Sequence, residues 1–83
     1  MRLIFKLYAS LADYLPEEAS KHSVEININD SDSPYSILER FNVPKEEAHL
    51  ILLNGVYVQL AEREQAIFKD GDTLAVWPPV AGG

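Results

Sequence analysis

The sequence predicts an α+β domain, a single sheet with one main helix packed on one face. Three observations carry that expectation. Apolar residues follow a strand-like period near both ends of the chain, in "RLIFKLY" and "TLAVW". The stretch "DSDSPYSILERF" has the start signal and apolar stripe of a helix. Between them and the last strand, "LILLNGVYV" reads as a hairpin. With 83 residues there is room for one domain and one core, so residues 1–83 are read as a single unit. A hydrophobic content of 47% suits a packed globule rather than a disordered chain.

In the first strand Leu3, Phe5 and Leu7 share one face, and Ile4, Lys6 and Tyr8 the other. "ASLADYL" can make two helical turns, bringing Leu11 to Tyr14 and Leu15, until Pro16 stops it. "SVEINI" alternates, with Val24, Ile26 and Ile28 inward and Glu25 and Asn27 outward. In the main helix Ser33 is placed to cap, Pro34 suits the first helical position, and Ile37, Leu38 and Phe41 form the stripe. Pro44 marks its end, and "KEEAH" reads as a polar turn or short helical segment. Asn54-Gly55 fits a two-residue hairpin loop, where both residues need positive φ. "AEREQAIF" is a polar connection with room for a short strand or turn, and Asp70-Gly71 is a second turn. The first and last strands are the most apolar, so they are expected side by side at the centre of the sheet. A mixed β-grasp (ubiquitin-like) sheet is the simplest arrangement of these elements.

Inside the domain there is little chemistry. No cysteine offers a nucleophile or a disulfide, which fits a reducing compartment. His22 and His49 lack a second ligand at metal spacing and read as surface or turn residues. Glu17-Glu18 and Glu46-Glu47 are neighbours that point different ways on a helix, so they read as solvated. "DGD" at Asp70 to Asp72 is a turn rather than a calcium loop. The formal charge of −6 argues against a nucleic acid partner. "MRLIFKLYAS" lacks the pattern of a signal peptide, and no stretch has the length of a membrane span, so the expected setting is the cytosol.

The unusual stretch is "PPVAGG". Pro78 and Pro79 lack amide donors and favour an extended path away from the sheet. Residues 78–83 then form a flexible tail with a reach of roughly 20 Å. Val80 and Ala81 are small enough to line a tunnel, and Gly82 and Gly83 permit close approach by another backbone. The reactive group is the α-carboxylate of Gly83. A carboxylate is a poor acyl donor, so chemistry there requires activation, most simply as an acyl-adenylate made with ATP by another enzyme.

This combination resembles the small subunit of molybdopterin synthase, the MoaD type of sulfur carrier. The likeness covers the whole chain: its length, the opening strand followed by "YASLADY", the "LNGVYV" hairpin, and "DGDTLAVWPPVAGG". It implies the β-grasp fold, with the C-terminal glycine adenylated by an E1-like (MoeB-type) enzyme using ATP and converted to a thiocarboxylate. The tail then enters the large (MoaE-type) synthase subunit, in a heterotetramer, and gives its sulfur to a pterin precursor of the molybdenum or tungsten cofactor. On this reading Gly83 carries the sulfur as 1-thioglycine and Gly82 is the slim neck. The resemblance further implies a protein that binds no cofactor and catalyses nothing alone, serving as the sulfur-donating subunit of a sulfurtransferase. Tyr8, Tyr57 and Trp77 are expected as an exposed or half-exposed partner patch on the sheet, continuing into Pro78, Pro79, Val80 and Ala81. A core position for Trp77 is the competing reading.

The thiamine sulfur carrier shares Asp-Gly-Asp, Gly-Gly and the fold, but the length and Pro78-Pro79 favour the molybdopterin role. Carriers serving cysteine synthesis or tungsten enzymes, and a β-grasp interaction module with an idle tail, stay open as alternatives. The charge yields one prediction. Association with a basic partner surface should slow as salt rises from about 50 to 500 mM, because screening shortens the range of steering. An association rate indifferent to ionic strength in stopped-flow measurements would remove this role for the acidic surface.

Overall fold

The computed structural model describes residues 1–79. Five strands form one mixed sheet: β1 (Arg2–Leu7), β2 (Ser23–Asn27), β3 (Leu50–Leu53), β4 (Val56–Tyr57) and β5 (Asp72–Trp77), in the order β2-β1-β5-β3-β4. β1 and β5 pair in parallel from Leu3–Asp72 to Leu7–Val76, and the other neighbouring pairs are antiparallel. The most apolar strands are therefore adjacent and central, as expected. Such a sheet with one α-helix, α1 (Pro34–Arg40), on one face is the small ubiquitin-like β-grasp fold.

The core follows from alternation. Leu3, Phe5 and Leu7 of β1, Leu74 and Val76 of β5, and Ile51 of β3 are fully buried on the inner face. They meet Ile37 and Leu38 of α1, and Phe41 lays its ring 4.9 Å from that of Phe5.

The helix starts as the sequence indicates. The Ser33 hydroxyl accepts the Ser36 N–H at 3.1 Å, the Ser36 hydroxyl accepts the Ser33 N–H at 2.8 Å, and Pro34 opens the first turn. Its end is set before Pro44. Asn42 takes φ 62°, its N–H donates to the Glu39 carbonyl at 3.0 Å, and the Val43 N–H donates to the Leu38 carbonyl at 2.9 Å. That is a Schellman end with asparagine in the left-handed position, and Val43 and Leu38 are both buried in the core. The segment Ala9–Tyr14 winds as a 3₁₀-helix rather than an α-helix. Ala9 enters it at φ 52° and Pro16 follows closely, which leaves too few residues for a nucleated α-helix. Leu11 is buried there, with Tyr14 and Leu15 packed at the margin.

Asn54 and Gly55 both have positive φ, 51° and 83°, as a two-residue hairpin of this type requires. The connection after β4 contains no strand. It holds a 3₁₀ turn (Leu60–Glu62) and leads to Asp70-Gly71, with Gly71 at φ 85°. The Asp-Gly-Asp turn binds protein groups. The Asp70 carboxylate accepts the Arg2 N–H at 2.7 Å, and Asp72 accepts Asn54 Nδ2–H and the Lys69 N–H, each at 2.8 Å.

Two stability predictions separate core from cap in urea unfolding. Leu74→Ala should cost about 2–5 kcal/mol, since it empties a site at the sheet centre. Ser33→Ala should cost about 1 kcal/mol through the lost cap.

Candidate functional site

The register assigns the second face of the sheet. Opposite residues of paired strands point the same way, so Ile4, Lys6, Thr73, Ala75, Trp77, Leu50, Leu52 and Tyr57 share the face turned from α1. Ala75 is 9% exposed, while Ile4, Leu50, Leu52 and Trp77 are half-buried. Over β5 and β3 the outer face is thus largely apolar, while β2 turns Ser23, Glu25 and Asn27 to it in the polar manner ordinary for a sheet covered on one side.

Trp77 is the last residue of β5 and belongs to this face rather than to the core. Tyr8 follows β1 and is held beside Trp77 because its N–H donates to the Val76 carbonyl at 3.1 Å. The rings stack with centroids 4.5 Å apart and planes 4° from parallel. On Tyr8's other side lies His22, 5.1 Å away and tilted by 27°. His22 is half-buried, with Nδ1 3.3 Å from the Leu7 carbonyl, so it is part of this cluster rather than a free surface residue.

Of the expected patch, Tyr8 and Trp77 come together. Tyr57 shares their face and is 45% exposed, but sits two strands from β5, beyond β3. Leu50, opposite Trp77, and Leu52, opposite both Ala75 and Tyr57, fill the interval. Sequence reading missed these two leucines. Their signal was present in "LILL", where apolar residues at every position mean that both faces of the strand are apolar.

Arg63 was also missed. It is 3% exposed and ties the hairpin to the segment before β3. Its Nε–H donates to the Val58 carbonyl at 3.1 Å, Nη1 to the Ala48 carbonyl at 3.4 Å, and Nη2 to the Tyr57 hydroxyl at 3.2 Å. A single arginine in a polar stretch carries no periodic signal that marks it as interior.

Past Trp77, Pro78 is half-buried and Pro79 exposed, and neither belongs to a strand. Val80, Ala81, Gly82 and Gly83, the expected tunnel segment and sulfur-bearing terminus, lie outside the described residues. Among the described residues no group of three or more His, Cys, Asp or Glu is placed to hold a metal ion. No described helix is long and apolar enough to cross a membrane.

The Mut7-C ubiquitin family model matches residues 1–82. No curated protein matches the sequence. Among solved structures, a Haloferax volcanii protein, HVO 2177, aligns over 100% of this chain and 87% of its own at 21% identity, with a TM-score of 0.75. A chain from the complex of subunits 1 and 2 of the molybdopterin-converting factor of Helicobacter pylori aligns over 100% of both chains at 25% identity, with a TM-score of 0.61. The small archaeal modifier protein 1 of H. volcanii aligns over 95% of this chain and 98% of its own at 25% identity, also at 0.61. The first likeness is one of fold; the second meets the resemblance already visible in the motifs.

The stack on Trp77 predicts a modest role in stability. Trp77→Ala should cost about 1–2 kcal/mol, an aromatic pair plus partial burial. Urea unfolding beside Leu74→Ala checks this. An equal loss in the two variants would place Trp77 among the core residues after all.

Proposed function

The chain belongs to the Mut7-C ubiquitin family, and on that footing we propose that it is a sulfur carrier working through the carboxylate of Gly83, with a MoaD-type role in molybdopterin synthesis as its function. The observation that carries this reading is the position of the tail's root. β5 is the central strand of five, and it ends on the stacked Trp77 before two prolines that stop strand pairing. The segment bearing Gly82-Gly83 is thereby attached beside an apolar sheet face, so one partner can grip the face and receive the tail. The likeness to a molybdopterin-converting factor subunit supports the choice of acceptor and of a MoaE-type large subunit as partner.

The chemistry needs two steps supplied from outside. An E1-like enzyme joins the Gly83 carboxylate to the α-phosphate of ATP, and pyrophosphate leaves. A sulfur nucleophile then displaces AMP from the acyl-adenylate and leaves a thiocarboxylate. In the large subunit that sulfur passes to the pterin precursor. This protein contributes placement: a folded handle at one end and a thin, side-chain-free terminus at the other. Tyr8, Trp77, Leu50 and Leu52 form the handle's grip, with Tyr57 at its far side.

A second reading is favoured by the equal likeness to a small archaeal modifier protein. In it the same acyl-adenylate leads to transfer of the Gly83 acyl group to an amine of another protein. The two readings share the activation step and differ in the acceptor.

Reconstitution with the cognate activating enzyme, ATP, a sulfur donor and the large subunit tests the proposal, read by intact mass and by product. Sulfur in place of one oxygen at Gly83 is the expected intermediate. Deleting Gly83 moves the carboxylate back by about 3.5 Å. Transfer should then fall by at least about 100-fold, because a reacting atom displaced by even an ångström loses its near-attack geometry. Gly82→Ala should fold normally yet transfer poorly, since its new Cβ meets the walls of a narrow channel. Wild-type sulfur delivery by the chain lacking Gly83 would sink the proposal. Lysine-linked conjugates without thiocarboxylate would establish the second reading.

A further inference from the structure

Arg63 is a buried cation with only neutral partners: two carbonyls, a hydroxyl and the Tyr57 ring, whose centre lies 5.6 Å from the guanidinium carbon. A guanidinium does not deprotonate in a protein, so burial cannot neutralise it. A buried charge is ordinarily matched by an opposite one. Here the only ion pair among the described residues is Arg2–Glu25, and both side chains of that pair are exposed. The chain has 13 acidic and 7 basic side chains, so carboxylates are plentiful and none has been placed against Arg63. Three of its five N–H groups are used in the hydrogen bonds described.

A cleft of about 270 Å³ opens beside this arginine, with Tyr35, Lys45, Glu46, His49 and Tyr57 also in its wall. The Lys45 ammonium lies 4.7 Å from the centre of the Tyr35 ring and has no carboxylate partner among the described residues. Two unmatched cations therefore face one acid, Glu46, and these three side chains together give the wall one net positive charge. A single negative charge balances that wall, whereas a dianion overcompensates it and meets Glu46.

We infer that the cleft between Arg63 and Lys45 is a binding site for a carboxylate group of Asp or Glu size. The carboxylate takes the unused Arg63 donors and has the Lys45 ammonium at its edge; Tyr35 and Tyr57 flank it. The site is lined by residues of the folded domain and does not depend on the sulfur chemistry. It adjoins the outer sheet face, because Tyr57 belongs to both and the His49 N–H donates to the Trp77 carbonyl at 3.0 Å.

The test is an NMR titration of the full ¹⁵N-labelled chain with sodium acetate, against sodium chloride at matched ionic strength. Acetate should give saturable shifts at the Arg63 Nε–H and at the His49 and Tyr57 amides, and chloride should not. Lys45→Gln, an exposed change that spares the Arg63 hydrogen bonds, should weaken acetate binding about two- to fivefold, as expected for a surface charge pair. Inorganic phosphate at pH 8, a dianion, should bind more weakly than acetate. Equal effects of acetate and chloride, shifts that never saturate, unchanged affinity in Lys45→Gln, or tighter binding of phosphate would each overturn the assignment. Thiocarboxylate formation is assayed separately and is indifferent to these outcomes.

Discussion

Everything else in this protein hangs from the parallel pairing of β1 with β5. The two strands are separated by most of the chain, yet they lie side by side in the middle of the sheet. Their inner faces supply five fully buried side chains, Leu3, Phe5, Leu7, Leu74 and Val76. α1 closes over that surface, β2 adds to one side through β1, and the hairpin adds to the other through β5. The same pairing makes the aromatic cluster, because the Tyr8 N–H continues the ladder onto Val76 and so sets Tyr8 beside Trp77. Core and candidate site are two products of one strand pair.

The two faces of the sheet have unequal duties. The inner face is sealed by its helix. The outer face carries the half-buried Ile4, Leu50, Leu52 and Trp77 around a buried Ala75, an apolar surface without a covering helix. A contiguous apolar area of this kind is a common mark of an interaction surface. Aromatic residues with a polar edge, such as Tyr8 and Trp77, suit such a surface because each gives much contact at little conformational cost. The proposed function uses this division. In that proposal the sheet serves as a handle and the chemistry is assigned to the terminus.

How much of this was legible in the sequence depends on whether the signal was local. The capped start of α1, the Asn54-Gly55 loop and the alternation in β1 and β2 are short-range patterns, and each was read correctly. The central pairing was also accessible, since the most apolar strands have the most to gain from burial. Three features were not. The end of α1 was assigned to Pro44, but Asn42 ends it by adopting a conformation that many asparagines do not. The 3₁₀ winding of Ala9–Tyr14 follows from the short space between Ala9, at φ 52°, and Pro16. Arg63 depends on carbonyls from Ala48 and Val58, which only the folded chain brings to one place. For the site, Tyr8 and Trp77 could be chosen because they are aromatic and fall opposite the core positions. Leu50 and Leu52 were hidden in an unbroken apolar run.

The crossing of β5 back to β1 also governs when the fold can form. Nothing in the first 70 residues can substitute for the central strand, because β1 and β3 both bond to it and not to each other. On the ribosome the nascent chain must hold its opening strand unpaired on one side until residues 72–77 have emerged. Sequence-distant pairings of this sort slow folding, since the loop must close before any contact rewards it. The strand that completes the sheet is also the one that carries the tail. A chain interrupted before that strand would therefore lack the centre of its sheet and, with it, the root of the segment on which the proposed function rests.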